Sequence, residues 1–340
     1  MGSDRSFASA RVNRKPIDLF GIIGFESRWP PLFSQNRLKR ALRRSRIAAL
    51  PAGVRCGKTK SASLWLSCIH GRGGEANGAN GGVIRAEAGR PPRGRVGNLI
   101  VLFTDFGLHG PYVGQMRAVL HQAAPDTSVI DLFADAPIGD PKASAYLLAA
   151  YAAWFPAGTV FLCVVDPGVG SGRPPVVVEA DGRWFVGPGN GLFELVQRRA
   201  RQARDWRIEW KPERLSASFH GRDLFAPVAA MLARGEPPPG RPCRDDAHRR
   251  PDWPDDLGEV VYADHFGNAM TGLRAAVLPA NAKLAAAGRV LERGRTFSDL
   301  PPGAAFWYEN SNGLAEIAVN LGRADRDLGL AIGMAVEIIC

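Results

Sequence analysis

Three stretches of the chain set acids, bases and glycines at spacings that can do chemistry. The first is Thr104-Asp105-Phe106-Gly107. A carboxylate directly after an apolar run can accept two hydrogen bonds from a vicinal diol such as a ribose. It can equally cap a following helix, and four residues do not decide between the two. The second is Asp166-Pro-Gly-Val-Gly-Ser-Gly-Arg173. Its glycines let the backbone turn tightly and approach a ligand closely. It lacks the Gly-Lys-Ser/Thr of a phosphate loop, and no Gly-x-Gly-x-x-Gly follows the first apolar run. What remains is an acid and an arginine seven residues apart, either an ion pair that pins the loop or a working pair. The third is Phe219-His-Gly-Arg-Asp-Leu-Phe225, entering a helix. A histidine there sits near the positive end of the helix dipole, which favours the neutral imidazole. Alone, His220 would read as a packed structural residue.

Two further stretches are Asp264-His-Phe-Gly-Asn268 and Asn310-Ser-Asn-Gly313. Gly-Asn and Asn-Gly are ordinary turn chemistry. An aromatic beside an amide also offers adenine a stacking face and a paired donor–acceptor edge. The five cysteines (Cys56, Cys68, Cys163, Cys243, Cys340) show no Cys-x-x-Cys spacing and no nearby histidine pair. The expectation is therefore no disulfide framework, no metal site and a reducing compartment.

The elements that must position these residues begin at Asn98. Leu99–Phe103 is a short apolar run of the kind buried on both faces of a sheet. A helical pattern over Pro111–Ala124 follows, then a strand at Val129–Leu132. Next come an Ala-rich helix at Asp140–Trp154, with Asp140 as cap and Pro141 in its first turn, and a strand at Thr159–Val165. This β-α-β-α-β alternation predicts a parallel sheet with right-handed crossovers. Strands are expected near Val176–Glu179 and Trp184–Val186, and helices over Gly191–Arg199 and Asp223–Ala233. Pro237-Pro-Pro-Gly240, Pro251 and Pro254 mark residues 237–256 as a linker. Short strand-like runs (Glu259–Ala263, Ala305–Glu309, Ala315–Asn320, Ala335–Ile339) between Gly, Asn and Pro turns predict a small β-domain. The expected organisation is an α/β domain over 98–236 with a largely parallel central sheet, then a smaller β-barrel-like domain over 257–340.

Charge divides the chain at the same place. The net charge is +10, yet residues 1–98 hold 19 Lys and Arg against 5 Asp and Glu, and the remainder holds 24 against 28. Residues 1–97 have little to bury, with a basic cluster at Arg37–Arg46 and a Gly, Arg and Pro-rich run at Gly71–Gly97. Such composition predicts a disordered basic extension. It reads as an upstream segment outside the working protein, a tail, or a basic arm that touches nucleic acid. The mildly acidic remainder argues against nucleic acid as partner. No run of 18 apolar residues occurs, so no spanning helix is expected, and the N-terminus does not read as a secretory signal. The expected location is the cytoplasm.

Six motifs, in this order, carry a resemblance over Leu99 to Ile339. They are Thr-Asp-Phe-Gly with Gly110-Pro-Tyr-Val-Gly-Gln115, Val165-Asp-Pro-Gly-Val-Gly170, Val186-Gly-Pro-Gly-Asn-Gly191, Phe-His-Gly-Arg-Asp, Asp-His-Phe-Gly-Asn and Asn-Ser-Asn-Gly. The chain resembles the S-adenosylmethionine hydroxide adenosyltransferases, relatives of the fluorinating and chlorinating enzymes that act on the same substrate. The resemblance implies that Asp166, Arg173 and His220 position a water that attacks ribose C5′ of S-adenosylmethionine, releasing methionine and adenosine. It implies that Asp105 holds the ribose hydroxyls, that Phe266 and Asn268 recognise adenine, and that Ser311 meets the methionine end. Asn190, in the third motif, joins the substrate-binding set. It implies no cofactor, since S-adenosylmethionine is the substrate, and no metal. It also implies a homotrimer, each site lying between one subunit's sheet domain and a neighbour's β-domain. Gly110 stands where relatives often place an Asp toward the methionine amino group. A halide-using enzyme is disfavoured, because an anionic Asp166 would repel the halide. A non-catalytic S-adenosylmethionine or adenosine binder would not need Asp166, Arg173 and His220 together.

Overall fold

The computed structural model describes residues 99–339; the expected basic extension, residues 1–97, lies outside the described residues. The first strand, β1 (Leu99–Thr104), is flanked by β2 (Ser128–Phe133) and β3 (Val160–Val164), both parallel to it. Helix α1 (Tyr112–Ala123) and helix α2 (Pro141–Ala152) make the two crossovers, and a short α3 (Glu194–Arg199) follows later in the chain. Strand β5 (Arg183–Pro188) pairs parallel with β3, and the sheet then turns antiparallel through β4 (Pro175–Ala180), β6 (Ala203–Ile208) and β7 (Gly240–Pro242). The seven strands run in the order β2-β1-β3-β5-β4-β6-β7. The parallel half matches expectation. Beyond it, β6 is an unforeseen strand, and residues 240–242 of the expected linker form the sheet's last strand.

The apolar run in β1 exists because both faces are covered. Val101 and Phe103 join one core with α2 residues such as Tyr146 and Leu147. Ile100 and Leu102 join the other, with Met116 and Leu120 of α1 and Val228 and Leu232 of α4 (Ala226–Ala233). Helix α2 starts as expected: Asp140 accepts from the Ala143 amide at 3.0 Å, with Pro141 in the first turn. Its alanines reflect burial nearly all round, because Leu257, Val261, Met270 and Leu314 of the C-terminal region pack into the same core.

That C-terminal region contains a four-stranded antiparallel sheet of order β12-β13-β9-β8, from β8 (Leu257–Ala263), β9 (Ala269–Arg274), β12 (Ala305–Glu309) and β13 (Leu314–Val319). A three-stranded sheet, β11-β10-β14, joins β10 (Lys283–Ala286), β11 (Arg289–Leu291) and β14 (Glu337–Ile339). The extended pairings among the described residues define two sheets, and isolated bridges join their edges, Glu259 to Ala335 and Arg293 to Trp307. Trp307, fully buried, anchors a core of its own with Val260, Leu284 and Ile317. Burying such a side chain stabilises the fold by about 2 to 3 kcal/mol.

Candidate active site

The candidate catalytic residues follow the carboxyl ends of β1 and β3, where a parallel sheet opens a crevice. Asp105 directly follows β1. It is not a helix cap: α1 is preceded by Pro111 and has no side-chain cap. Its carboxylate instead accepts the Gly139 amide at 2.9 Å. Burial raises its pKa, opposed by that amide and reinforced by the charge of Asp166.

Asp166 lies just beyond β3, and its loop returns through Arg173. The guanidinium grips the carboxylate with both arms, Nε donating to Oδ1 at 2.8 Å and Nη2 to Oδ2. The two side chains are only 9% and 4% exposed, so they form a buried pair. The same Nη2 reaches Nδ1 of His220 at 3.2 Å. A guanidinium can only donate, so Nδ1 accepts and the ring hydrogen sits on Nε2. Burial, and next the positive charge of Arg173, hold the His220 pKa below its ordinary value. The imidazole is neutral, as the sequence predicts, but for these reasons rather than the helix dipole. The residues after it form a single wide π-helical turn, Gly221–Phe225, running into α4. The other face of Arg173 stacks on Phe225, 5.2 Å from the ring centroid.

Two local features bring these groups together. Gly170 has φ +81°, and a Cβ there would stand 2.8 Å from the Ala217 carbonyl oxygen. The loop therefore lies against the segment that leads into His220. Gly189 is equally crowded, its missing Cβ facing the Pro174 carbonyl oxygen at 2.7 Å and the His248 Cβ at 2.9 Å. Next to it, Asn190 donates to the Val165 carbonyl at 2.9 Å and accepts from the Leu192 amide at 3.3 Å. It thus ties down the backbone just before Asp166. Arg222 clasps Asp223 and donates to Gln115 at 2.7 Å, so the first and fourth motifs are joined directly. Tyr112 and Phe219 pack edge to face at 5.4 Å beside that link.

The residues expected to read the rest of the substrate form a second group. Phe266, Asn268 and Ser311 line one cleft of about 630 Å³, together with Asp264, Tyr308 and Glu316. Phe266 is 72% exposed, a large apolar face left open to solvent. Asp264 holds Asn268 by its backbone amide at 2.9 Å and its side-chain amide at 3.1 Å. Among the described residues no hydrogen bond or ion pair joins this group to Asp105, Asp166, Arg173 or His220.

Sequence reasoning missed Asp264 and Glu316 as lining groups. Asp264 stands in a quoted motif and was legible there; Glu316 lies in an apolar run and carried no signal. It also missed that Asp205, Cys243 and His248 converge, with His248 Nε2 2.9 Å from Asp205 Oδ2. Gln197 donates to the same oxygen at 2.7 Å, and Arg207, Arg241 and Arg244 line the adjoining pocket. The trio is a hydrogen-bonded post that packs His248 behind Gly189.

Comparison with known proteins identifies the family. The profile of the SAM hydroxide adenosyltransferase N-terminal domain matches residues 100–240, and that of the C-terminal domain matches residues 258–337. The (R)-S-adenosyl-L-methionine hydrolase of Thermus thermophilus is 40% identical over 258 residues, covering 71% of this chain and 99% of the relative. A fluorinase of Nocardia brasiliensis is 24% identical over 288 residues, 71% of this chain and 96% of that protein. Among solved structures, an uncharacterised conserved protein from Thermotoga maritima superposes with a TM-score of 0.65 at 30% identity, over 71% of this chain and 100% of that one. Both domain matches, at this identity and coverage, place the chain in the SAM hydroxide adenosyltransferase family.

Proposed function

We propose that the protein hydrolyses S-adenosyl-L-methionine to adenosine and L-methionine, acting on the (R) form at sulfur that the curated relatives' names specify. The water oxygen forms a bond to ribose C5′ while the C5′–S bond breaks, and its electron pair leaves with sulfur. The leaving thioether is neutral, so the step needs no acid to protonate it and no metal or cofactor. Its demand is one water, aimed in line with the C–S bond and stripped of competing solvent.

The observation that carries this reading is the bridge made by Arg173, which holds Asp166 and His220 through one nitrogen. It assigns their duties. His220 accepts through Nδ1 and keeps its hydrogen on Nε2, so that face donates to the water and cannot take its proton. Asp166 is the remaining acceptor. A carboxylate is sufficient there, because the proton leaves an oxygen already bonding to carbon and becoming an oxonium. Asp105 takes the ribose diol, Phe266 and Asn268 the adenine, and Ser311 the methionine end, with Asn190 steadying the loop of Asp166. A halide nucleophile is disfavoured, because it would have to approach the Asp166 carboxylate.

Because the two groups of residues are separate within one chain, we place each working site between copies, in a homotrimer. The test is to incubate the purified protein with each sulfonium epimer in isotopically labelled water. Adenosine and methionine should appear in equal amounts from the (R) epimer, with the label on the adenosine 5′ oxygen. Label absent from that oxygen refutes attack by water at C5′, and a single-chain sedimentation mass in the active sample refutes the shared site.

A further inference from the structure

A carboxylate has no packing reason to occupy the middle of β13. Every residue of that strand is buried, and Glu316 is the one that is not apolar. It is 2% exposed. A well-packed apolar side chain there would serve the core at least as well, since burying a charge carries a desolvation cost. Its environment shows what it does instead. Tyr308, its cross-strand partner on β12, donates to Oε1 at 2.6 Å. Asn310 donates through Nδ2 to Oε2 at 2.7 Å. The side-chain oxygen Oδ1 of Asn310 then accepts the backbone amides of Asn312 at 2.9 Å and Leu314 at 3.0 Å. An ionised carboxylate only accepts, so it fixes which way the Asn310 amide points: nitrogen toward the strand, oxygen toward the turn. The tip of that turn is Ser311.

We propose that Glu316 is a positioning residue for substrate recognition, holding the Asn310–Gly313 turn so that Ser311 faces the methionine arm. The inference rests on the reading in which Ser311 meets methionine. Glu316 lines the same cleft as Phe266 and Asn268, yet those two residues are organised by a different carboxylate, Asp264. Each carboxylate therefore governs one arm of the ligand. Losing Glu316 removes one of three bonds to the Asn310 side chain and weakens the grip on methionine, while the adenosine arm keeps its own support.

The experiment measures calorimetric binding of S-adenosylmethionine and of adenosine to the full chain carrying Asp166→Ala, which leaves the substrate intact. Adding Glu316→Met should weaken S-adenosylmethionine about tenfold, the loss of roughly one charge-assisted hydrogen bond, with adenosine unchanged. Adding Glu316→Gln, which can still accept from Asn310, should restore most of the affinity. In the otherwise native chain Glu316→Met should raise KM with kcat within about threefold, the signature of lost uniform binding. Should the methionine variant fold poorly, Asn310→Asp removes the donor without changing volume and should give the same selective loss. Equal weakening of both ligands, or no weakening of either, overturns the inference. A parent chain that binds neither ligand sinks the proposed function, and this inference with it.

Discussion

Replacing Arg173 by lysine keeps the charge and discards the geometry, and so isolates what the bridge does. The guanidinium makes three contacts, two to Asp166 and one to His220 Nδ1. An ammonium on a flexible stem reaches one of these partners at a time. Hydrogen bonds to charged groups contribute about 1.5 to 3 kcal/mol each, and the retained charge recovers part of what two lost contacts cost. The net loss is about 2 to 4 kcal/mol in the transition state, or about thirtyfold to a thousandfold in kcat/KM at 1.36 kcal/mol per decade. The assay is adenosine release under initial-rate conditions, with adenosine binding measured in parallel and expected to change little. Asp105, Phe266 and Asn268 are not bonded to Arg173, so binding of the nucleoside has no reason to fall. If Arg173→Lys turned over within about threefold of the native rate, the bridge would be scaffolding and the assignment of Asp166 as acceptor would lose its basis.

The pH profile follows from the sign of the shift at His220. The working form is neutral, and burial and Arg173 hold its pKa below the ordinary 6.5. Acid must therefore go below that value before protonation switches it off. Measured as kcat/KM against pH, the acid limb should fall below 6.5, and a limb above it would contradict the neutral imidazole. Gly170→Ala puts a Cβ 2.8 Å from the Ala217 carbonyl oxygen at a φ of +81°. It should cost about 1 to 3 kcal/mol of stability and pull Asp166 away from His220; an unchanged melting curve with unchanged kcat counts against that packing. Deleting residues 1–95 should leave kcat and KM unaltered, since the family match begins at residue 100. A dead truncation would show that the basic segment belongs to the enzyme.

The sequence was most legible where one local rule decides the outcome. The unbroken apolar runs of β1 and β3 announce strands covered on both faces, and Asp140-Pro141 announces the start of α2. Strands of mixed composition were not legible. Ala203–Ile208 carries three charged residues in six and Lys283–Ala286 has little β-branching, so both depend on their partners rather than on propensity. The reversal to antiparallel pairing after β5 was likewise hidden, because a strand's direction is set by its neighbour. In the site, the motifs named Asp166, Arg173 and His220 separately. Their meeting depends on Gly170 lying against Ala217, a contact between segments that periodicity cannot see. Glu316 was invisible because its meaning comes from Tyr308 and Asn310 across the strand, while its neighbours in sequence are apolar.

Helix α2 also works as a ruler. At its start, the Gly139 amide holds Asp105 and Asp140 caps the first turn. Near its far end, Tyr151 lines the cleft of Phe266 and bonds the sulfur of Met270 at 3.5 Å. Twelve helical residues set these ends roughly 18 Å apart, and a helix packed on nearly every side does not shorten. Ribose and base are joined by a single bond and lie within a few ångströms of each other. In the proposed shared site, a nucleoside touched by both Asp105 and Phe266 takes them from different copies of the chain.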